Sequence, residues 1–317
     1  MPDNQSSTNL KEGMSVMITG GSGLVGKYLT SLLLSEGFKV THLSRNSGRD
    51  KRVRAYRWDP EKPIIDPSAF EGINYLIHLA GANIGEKRWT KKRKDDIIKS
   101  RVESARFLHK IIIDNGILLN AFISASAVGY YGSVTSDRIF REEDNPADDF
   151  LGITCRLWEE AADLFEMSGI RTVKIRAAVV LEKSDSALSK MMKPGKYGFL
   201  VKTGNGRQYM PWIHIADLCG IYLKAIRDSG IKGPYNAVSP HHVTHAGFMS
   251  ELSAVLNLPH FMPSVPSFVI KTVLGEMSDV ILKGSRVSSE KIINAGYRFK
   301  FENLHEALSD VIFNQHP

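Results

Sequence analysis

The chain has 317 residues, 43% of them apolar, two cysteines and a formal net charge of +7. This composition excludes a disordered chain and a disulfide-built scaffold, and the length fits one large domain with a smaller appendage. No apolar run is long enough to span a bilayer, and residues 1–12 lack the apolar centre of a secretory signal, so a cytoplasmic protein with a disordered N-terminal tail is expected.

The first predicted strand, 15–19, carries Val16-Met17-Ile18-Thr19 and runs straight into Gly20-Gly21-Ser22-Gly23-Leu24-Val25-Gly26. A helix pattern over 24–36 follows, with Tyr28, Leu29, Leu32 and Leu33 as its apolar residues. Strand, Gly-x-x-Gly-x-x-Gly and helix, in that order, are the setting of a dinucleotide site. Gly20 makes the tight turn, Gly23 lets backbone approach a pyrophosphate, and Gly26 lets the helix pack on the strand. The helix N-terminus then offers N–H groups and a positive dipole end to the phosphates.

The second predicted strand, 38–43, ends at Ser44-Arg45-Asn46. An NAD-selective site places Asp or Glu here to accept from the ribose 2′-hydroxyl; the next acid in this chain is Asp50. A hydroxyl at Ser44 and a guanidinium at Arg45 suit a 2′-phosphate, which predicts NADP(H) as the cofactor. The plainer alternative is an exposed loop arginine.

Further strands are predicted at 54–57, 74–79, 120–125 and 171–180, and helices at 90–115 and 151–168. The alternation implies an α/β, Rossmann-type doubly wound parallel sheet. Residues 184–209 read as loop, 215–228 as a helix, and the tail from 241 as two or three helices. Residues 13–183, with 215–240 returning to them, are expected to form the cofactor domain. Residues 184–214 and 241–317 then make a small, mostly helical C-terminal substrate lobe.

Basic residues cluster between Arg45 and Arg57 and between Lys87 and Lys94. No nucleic-acid module accompanies them, so no nucleic-acid partner is expected, and an anionic cofactor, alone or with an anionic substrate, accounts for the bias. Cys155 and Cys219 have no metal spacing. His241, His242 and His245 have no carboxylate or thiolate with them, so no metal site is expected.

Several stretches resemble the extended short-chain dehydrogenase/reductases. The glycine triplet does, and so does Ile77-His78-Leu79-Ala80-Gly81. One atypical subfamily, the "epimerase family proteins" associated with sugar nucleotides, is similar in more places. Those are Gly85-Glu86-Lys87-Arg88-Trp89-Thr90, Ser100-Arg101-Val102, Ser126-Ala127-Val128-Gly129-Tyr130-Tyr131-Gly132, Gly204-Asn205-Gly206-Arg207-Gln208, Pro211-Trp212-Ile213-His214-Ile215-Ala216-Asp217-Leu218, Tyr235-Asn236-Ala237-Val238-Ser239-Pro240 and Gly275-Glu276-Met277. The resemblance covers nearly all of the chain after residue 13. It implies that Ser22, Leu24 and Val25 line the pyrophosphate, that Asp59 contacts adenine with Trp58 beside it, and that Leu79, Ala80 and Gly81 pass beneath ribose and nicotinamide.

The superfamily's enzymes use a tyrosine with a lysine four residues later and a nearby Ser or Thr, because the reaction needs a phenol poised to exchange a proton. No tyrosine here has a lysine at that spacing. Ser126 takes the place of the superfamily's serine, with Ser124 as a rival and a cofactor-lining residue. Tyr130 or Tyr131 can replace the missing phenol, or both are packing aromatics. Arg156 lies near the lysine's place and can hold a ribose hydroxyl, although a guanidinium cannot shuttle a proton. On the substrate side, Arg207 precedes Gln208 where sugar-nucleotide enzymes carry an arginine after it. Trp89, Trp212 and His214 complete the expected pocket, His214 with a structural hydrogen bond as its alternative.

These readings predict an NADP(H)-binding oxidoreductase or epimerase acting on a small hydroxyl, carbonyl or sugar-nucleotide substrate. Ser126 polarises the reacting oxygen, Tyr130 or a water moves the proton, and Arg156 orients the ribose. The alternative is a non-catalytic, NADP(H)-responsive binding or regulatory protein. A homo-oligomer is compatible with either.

Overall fold

Strand β1 (Ser15–Thr19) lies inside an eight-stranded sheet in the computed structural model, which describes residues 13–45, 50–184, 186–259 and 264–314. The expected tail, residues 1–12, lies outside the described residues. Strands β2 (Lys39–Ser44), β3 (Arg54–Asp59), β4 (Ile64–Ile65), β5 (Tyr75–His78) and β6 (Ala121–Ala127) belong to the same sheet, with β2 and β5 on either side of β1. After a short β7 (Ile139–Phe140) come β8 (Thr172–Ala177), β9 (Val179–Leu181), β10 (Lys202–Thr203), β11 (Trp212–His214) and β12 (Gly233–Ala237). The strand order is β12-β8-β6-β5-β1-β2-β3-β4, parallel except for the antiparallel β3–β4 edge.

The two-residue period of the strands sorts the core. Val16 and Ile18 pack with Leu29 and Leu33 of α1 (Leu24–Ser35) and with Tyr222 and Ile226 of α5 (Ile215–Arg227). Met17 and Leu76 pack on the other face with Leu108 and Ile112 of α2 (Lys91–Asp114) and Phe165 of α3 (Phe150–Met167). Helices on both faces of a mostly parallel sheet make this the expected Rossmann-type fold.

The expected strand 171–180 is two strands. At Ala178 the chain leaves the main sheet, and Val179 donates to Pro211 O, so that β9 pairs with β11 instead. The stretch expected to be loop holds α4 (Ala187–Met192), started by a capping box in which Ser186 and Ser189 satisfy each other's backbone N–H. Among the described residues five helices follow residue 241: α6 (His245–Val255), α7 (Ser267–Leu274), α8 (Asp279–Leu282), α9 (Glu290–Asn294) and α10 (Leu304–Phe313). Helices as short as α8 and α9 carry too few turns to show a 3.6-residue period. Leu188, Phe248, Leu252, Leu308 and Val311 close a second apolar core beneath α4, α6 and α10. Among the described residues no helix is long and apolar enough to cross a membrane.

Candidate cofactor and active site

The glycine loop shows why each glycine is there. Gly20 has φ +70°, and a Cβ on it would lie 3.0 Å from Ala80 N. A Cβ on Gly26 would sit 2.5 Å from Gly20 O, so only glycine lets α1 start against the loop. Gly23 is the N-cap of α1 with no side-chain cap, and the first turn holds no acid. The N–H groups of that turn are left for an outside acceptor of negative charge. Ser22 and Gly23 are exposed, and Leu24 and Val25 half-buried.

Two buried histidines brace this loop. A Cβ on Gly21 would lie 2.5 Å from His42 Nε2. Thr30 Oγ1 donates to Gly26 O at 2.6 Å, so the 2.8 Å contact between Thr30 and His42 uses the ring N–H. On the other side Thr19 Oγ1 accepts from Leu79 N and Ala80 N, which leaves its own proton for His78 Nδ1 at 2.8 Å. His78 Nε2 therefore carries the ring proton and faces Ser104 Oγ at 3.0 Å. Burial pulls His78 down to about 4, so it is neutral at physiological pH. Sequence patterning missed this chain, because Thr19, His78 and Ser104 meet only across two strands and a helix.

A cleft of about 700 Å³ opens in front of the loop, lined by Ser22, Gly23, Leu24, Lys27 and Tyr28 on one wall and Ser189, Lys190 and Lys193 on the other, with Asn83 and Glu86 between. A smaller apolar hollow of about 420 Å³ lies under Ile65, Phe70 and Ile111, away from the glycine loop. At the end of β2, Ser44 is half-buried and Arg45 exposed. Asp50, the next acid along the chain, is paired with Arg52, which holds both its oxygens and draws it down to about 2. Asp59 is half-buried, and its Oδ1 accepts from Glu61 N. Trp58 corrects the expectation: it is 4% exposed and packs in the core beneath the sheet rather than beside a ligand.

The catalytic serine is also corrected. Ser126 lies inside β6, 3% exposed, and Oγ donates to Glu159 Oε1 at 2.7 Å. Arg176 grips that carboxylate through Nε at 2.8 Å and Nη2 at 2.9 Å. Arg176 Nη1 donates to Tyr131 Oη at 2.9 Å, and Tyr131 donates to Asn236 Oδ1 at 2.7 Å. Ser126, Glu159, Arg176, Tyr131 and Asn236 thus form one buried chain in which the serine proton and the Tyr131 phenol are both committed. Burial raises the Tyr131 pKa. Tyr130 stays half-buried, with the Arg176 guanidinium 3.5 Å from its ring centroid. Ser124, expected to line the cofactor, is 1% exposed and donates to Ala125 O, so its hydroxyl is spent within the protein. Arg156 is on the outer face of α3, paired with Glu160 one turn on at 2.6 Å and 44% exposed, so it is not the ribose-orienting cation expected. Among the described residues no group of three or more metal-ligating side chains is placed to hold an ion.

Comparison with known proteins places this geometry. The model of the NAD dependent epimerase/dehydratase family matches residues 16–154, and a domain of unknown function, DUF1731, matches 265–311. Epimerase family protein YfhF of Bacillus subtilis is 36% identical over 302 residues, 94% of this chain and 98% of that protein. The chain belongs to the epimerase family. Human epimerase family protein SDR39U1 is 32% identical over 305 residues, 94% of this chain and 100% of that one. The crystal structure of human SDR39U1 isoform 2 with NADPH superposes with a TM-score of 0.83 at 29% identity, covering 95% of this chain and 100% of that chain.

In this epimerase-family chain the expected substrate residues separate. Trp89 is half-buried on the loop before α2, its Nε1 donating to Ile84 O and its ring 4.7 Å from Phe150. Arg207 is exposed in the turn before Gln208, whose amide is spent on Thr203 O and Ile281 O. Trp212 is fully buried in the second core and is no pocket residue. His214 is likewise fully buried: Nδ1 caps α5 at Ala216 N, and Nε2 lies 3.1 Å from Asp310 of α10. The neighbouring Asp217 accepts from Lys300 N, Phe301 N and Tyr297 Oη. The conspicuous Trp212–Asp217 segment therefore fastens the C-terminal helices to α5.

Proposed function

We propose that this epimerase-family protein binds NADP(H) along the glycine loop and Leu79-Ala80-Gly81, and uses it on a small substrate bearing a hydroxyl or carbonyl, sugar nucleotides included. The observation that carries this reading is the uncapped N-terminus of α1, set against β1 and β5 by glycines that no larger residue can replace. NADP(H), when bound, supplies or accepts hydride at nicotinamide C4. Ser22, Gly23 and Leu24 would hold the pyrophosphate, Lys27 and Lys193 would add charge from the two cleft walls, and Arg45 with Ser44 would meet the 2′-phosphate. Tyr130 is the remaining phenol for proton exchange, since burial raises its pKa and keeps it protonated at neutral pH. Free, buried Cys155 and Cys219 suit a reducing compartment, the cytoplasm.

A second reading, an NADP(H)-responsive binding protein without turnover, is favoured by one observation: the Ser126 and Tyr131 protons are locked in the Glu159–Arg176 chain. The deciding experiment titrates the protein with NADPH and NADH by tryptophan quenching, then follows deuteride from 4-deuterated NADPH into a panel of carbonyls and keto-sugar nucleotides. Transfer supports the enzyme, and tight binding without transfer supports the binding protein. Binding of neither cofactor overturns both.

A further inference from the structure

Arg101 is a part-buried cation near the glycine loop that neither reading uses. It sits on α2, and Gly81 passes directly over it: a Cβ at 81 would lie 3.0 Å from Arg101 Cζ and 3.3 Å from Nε. The crossing is pinned, because Ala82 N donates to Ser100 Oγ at 2.9 Å. The guanidinium lies 4.9 Å from the centroid of the Trp158 ring, a cation–π distance. Among the described residues the guanidinium makes one hydrogen bond, from Nη1 to Ile97 O at 3.0 Å. Among the described residues no carboxylate lies within ion-pair distance of it. Trp158 adds a second orphan, since its Nε1 is buried and has no partner among the described residues.

An arginine withdrawn from solvent normally faces a carboxylate, as the more deeply buried Arg176 does here through Glu159. Burial lowers the Arg101 pKa to about 10, so the charge persists at neutral pH and lacks a counter-ion. Cys155 is no counter-ion, because burial pushes its thiol up to about 12. Position supplies what the protein does not. Leu79 and Ala80 touch the glycine turn at Gly20, and Gly81 is the next residue outward and is exposed. Asn83, two residues further, lines the cleft.

We propose that Arg101 binds an anionic oxygen group of the ligand seated over Gly81, a carboxylate or phosphate carried by the substrate. The assignment rests on the cofactor reading above for the orientation of that ligand. The same chemistry could come from the dinucleotide, and the two sources separate experimentally.

The test uses the full chain, wild type beside Arg101→Gln and Arg101→Met, each of which removes the charge and keeps most of the side chain's length. Malonate and inorganic phosphate are titrated onto the NADPH-loaded protein by nicotinamide fluorescence, and onto the cofactor-free protein by thermal shift. NADPH and adenosine 2′,5′-bisphosphate affinities are measured alongside. A loss of about tenfold in malonate or phosphate affinity in both variants, with NADPH affinity kept, assigns the anion to the substrate. A similar loss for NADPH, with adenosine 2′,5′-bisphosphate unchanged, moves the anion to the dinucleotide and overturns the substrate assignment. Anion and NADPH affinities at the wild-type level in both variants overturn the site altogether. Wild-type protein that takes malonate but not NADPH sinks the cofactor reading and leaves the Arg101 site standing. Should Arg101→Gln fail to fold, Arg101→Met, whose apolar stem still covers Trp158, carries the same comparison.

Discussion

Ser126 gives its hydroxyl proton to Glu159 across 2.7 Å, on a carboxylate that a buried arginine holds by two nitrogens. A serine that polarises a substrate oxygen must aim that proton at the ligand. Here it is aimed away, into the interface between β6 and α3.

The first prediction concerns stability. Removing the hydroxyl in Ser126→Ala takes one donor from a charged acceptor, a cost of about 1.5–3 kcal/mol. Glu159→Gln leaves Arg176 buried without its counter-charge and costs roughly 3–5 kcal/mol. Urea unfolding of both variants checks the ranking, and an equal, negligible loss in the two would contradict the network.

Arg156→Ala is expected to be nearly silent. Its pair with Glu160 is exposed and one helical turn long, worth about 0.5 kcal/mol or less. NADPH affinity should stay within about twofold of wild type. A tenfold loss would show that the side chain reaches the ribose after all.

At the end of β2, Arg45→Ala should narrow the preference for NADPH over NADH by about tenfold, roughly 1.4 kcal/mol, while leaving NADH affinity in place. Paired titrations measure it. An unchanged ratio removes Arg45 as the reader of the 2′-phosphate.

Acid sensitivity follows from His78. Unfolded, its imidazole takes a proton at its ordinary value; folded, it refuses one until about pH 4. Between these limits the unfolded state binds more protons, so stability falls as pH falls, by up to about 1.4 kcal/mol per pH unit. His245, also pulled down to about 4 by burial, adds a similar slope. His78→Gln should therefore flatten the limb between about pH 6.5 and 4 without abolishing it. Equilibrium unfolding at a series of pH values tests this, and an unaltered slope in the variant rules His78 out as a source.

Much of the molecule was legible from local patterns. Short apolar runs located β1, β2, β5 and β6, and apolar spacing located α1, α2, α3 and α5, because run length and period are properties of consecutive residues. The glycine triplet announced its own turn, since the restriction at Gly20 and the crowding at Gly26 come from neighbours in the same loop and the adjoining strand. Even Ser186, a helix start hidden in a stretch read as loop, lies in a short-range capping box that a closer inspection of residues 186–189 can find.

Roles were a different matter. Whether Ser126, Trp212 or His214 faces a ligand depends on partners 33 residues away at Glu159, in the second core, and on α10 at Asp310, none of which a local pattern contains. Arg156 and Arg101 are both arginines on amphipathic helices, and sequence favoured Arg156 for its nearness to an expected lysine. Helix rotation decided otherwise: it put Arg156 in solvent beside Glu160 and Arg101 under Gly81 without a carboxylate. The sequence by itself determined the sheet, its principal helices and the glycine turn before α1, because those follow from backbone geometry and short-range periodicity. Only the tertiary structure decided which polar side chains are consumed within the protein and which remain for a ligand, because that depends on distance in space and on burial.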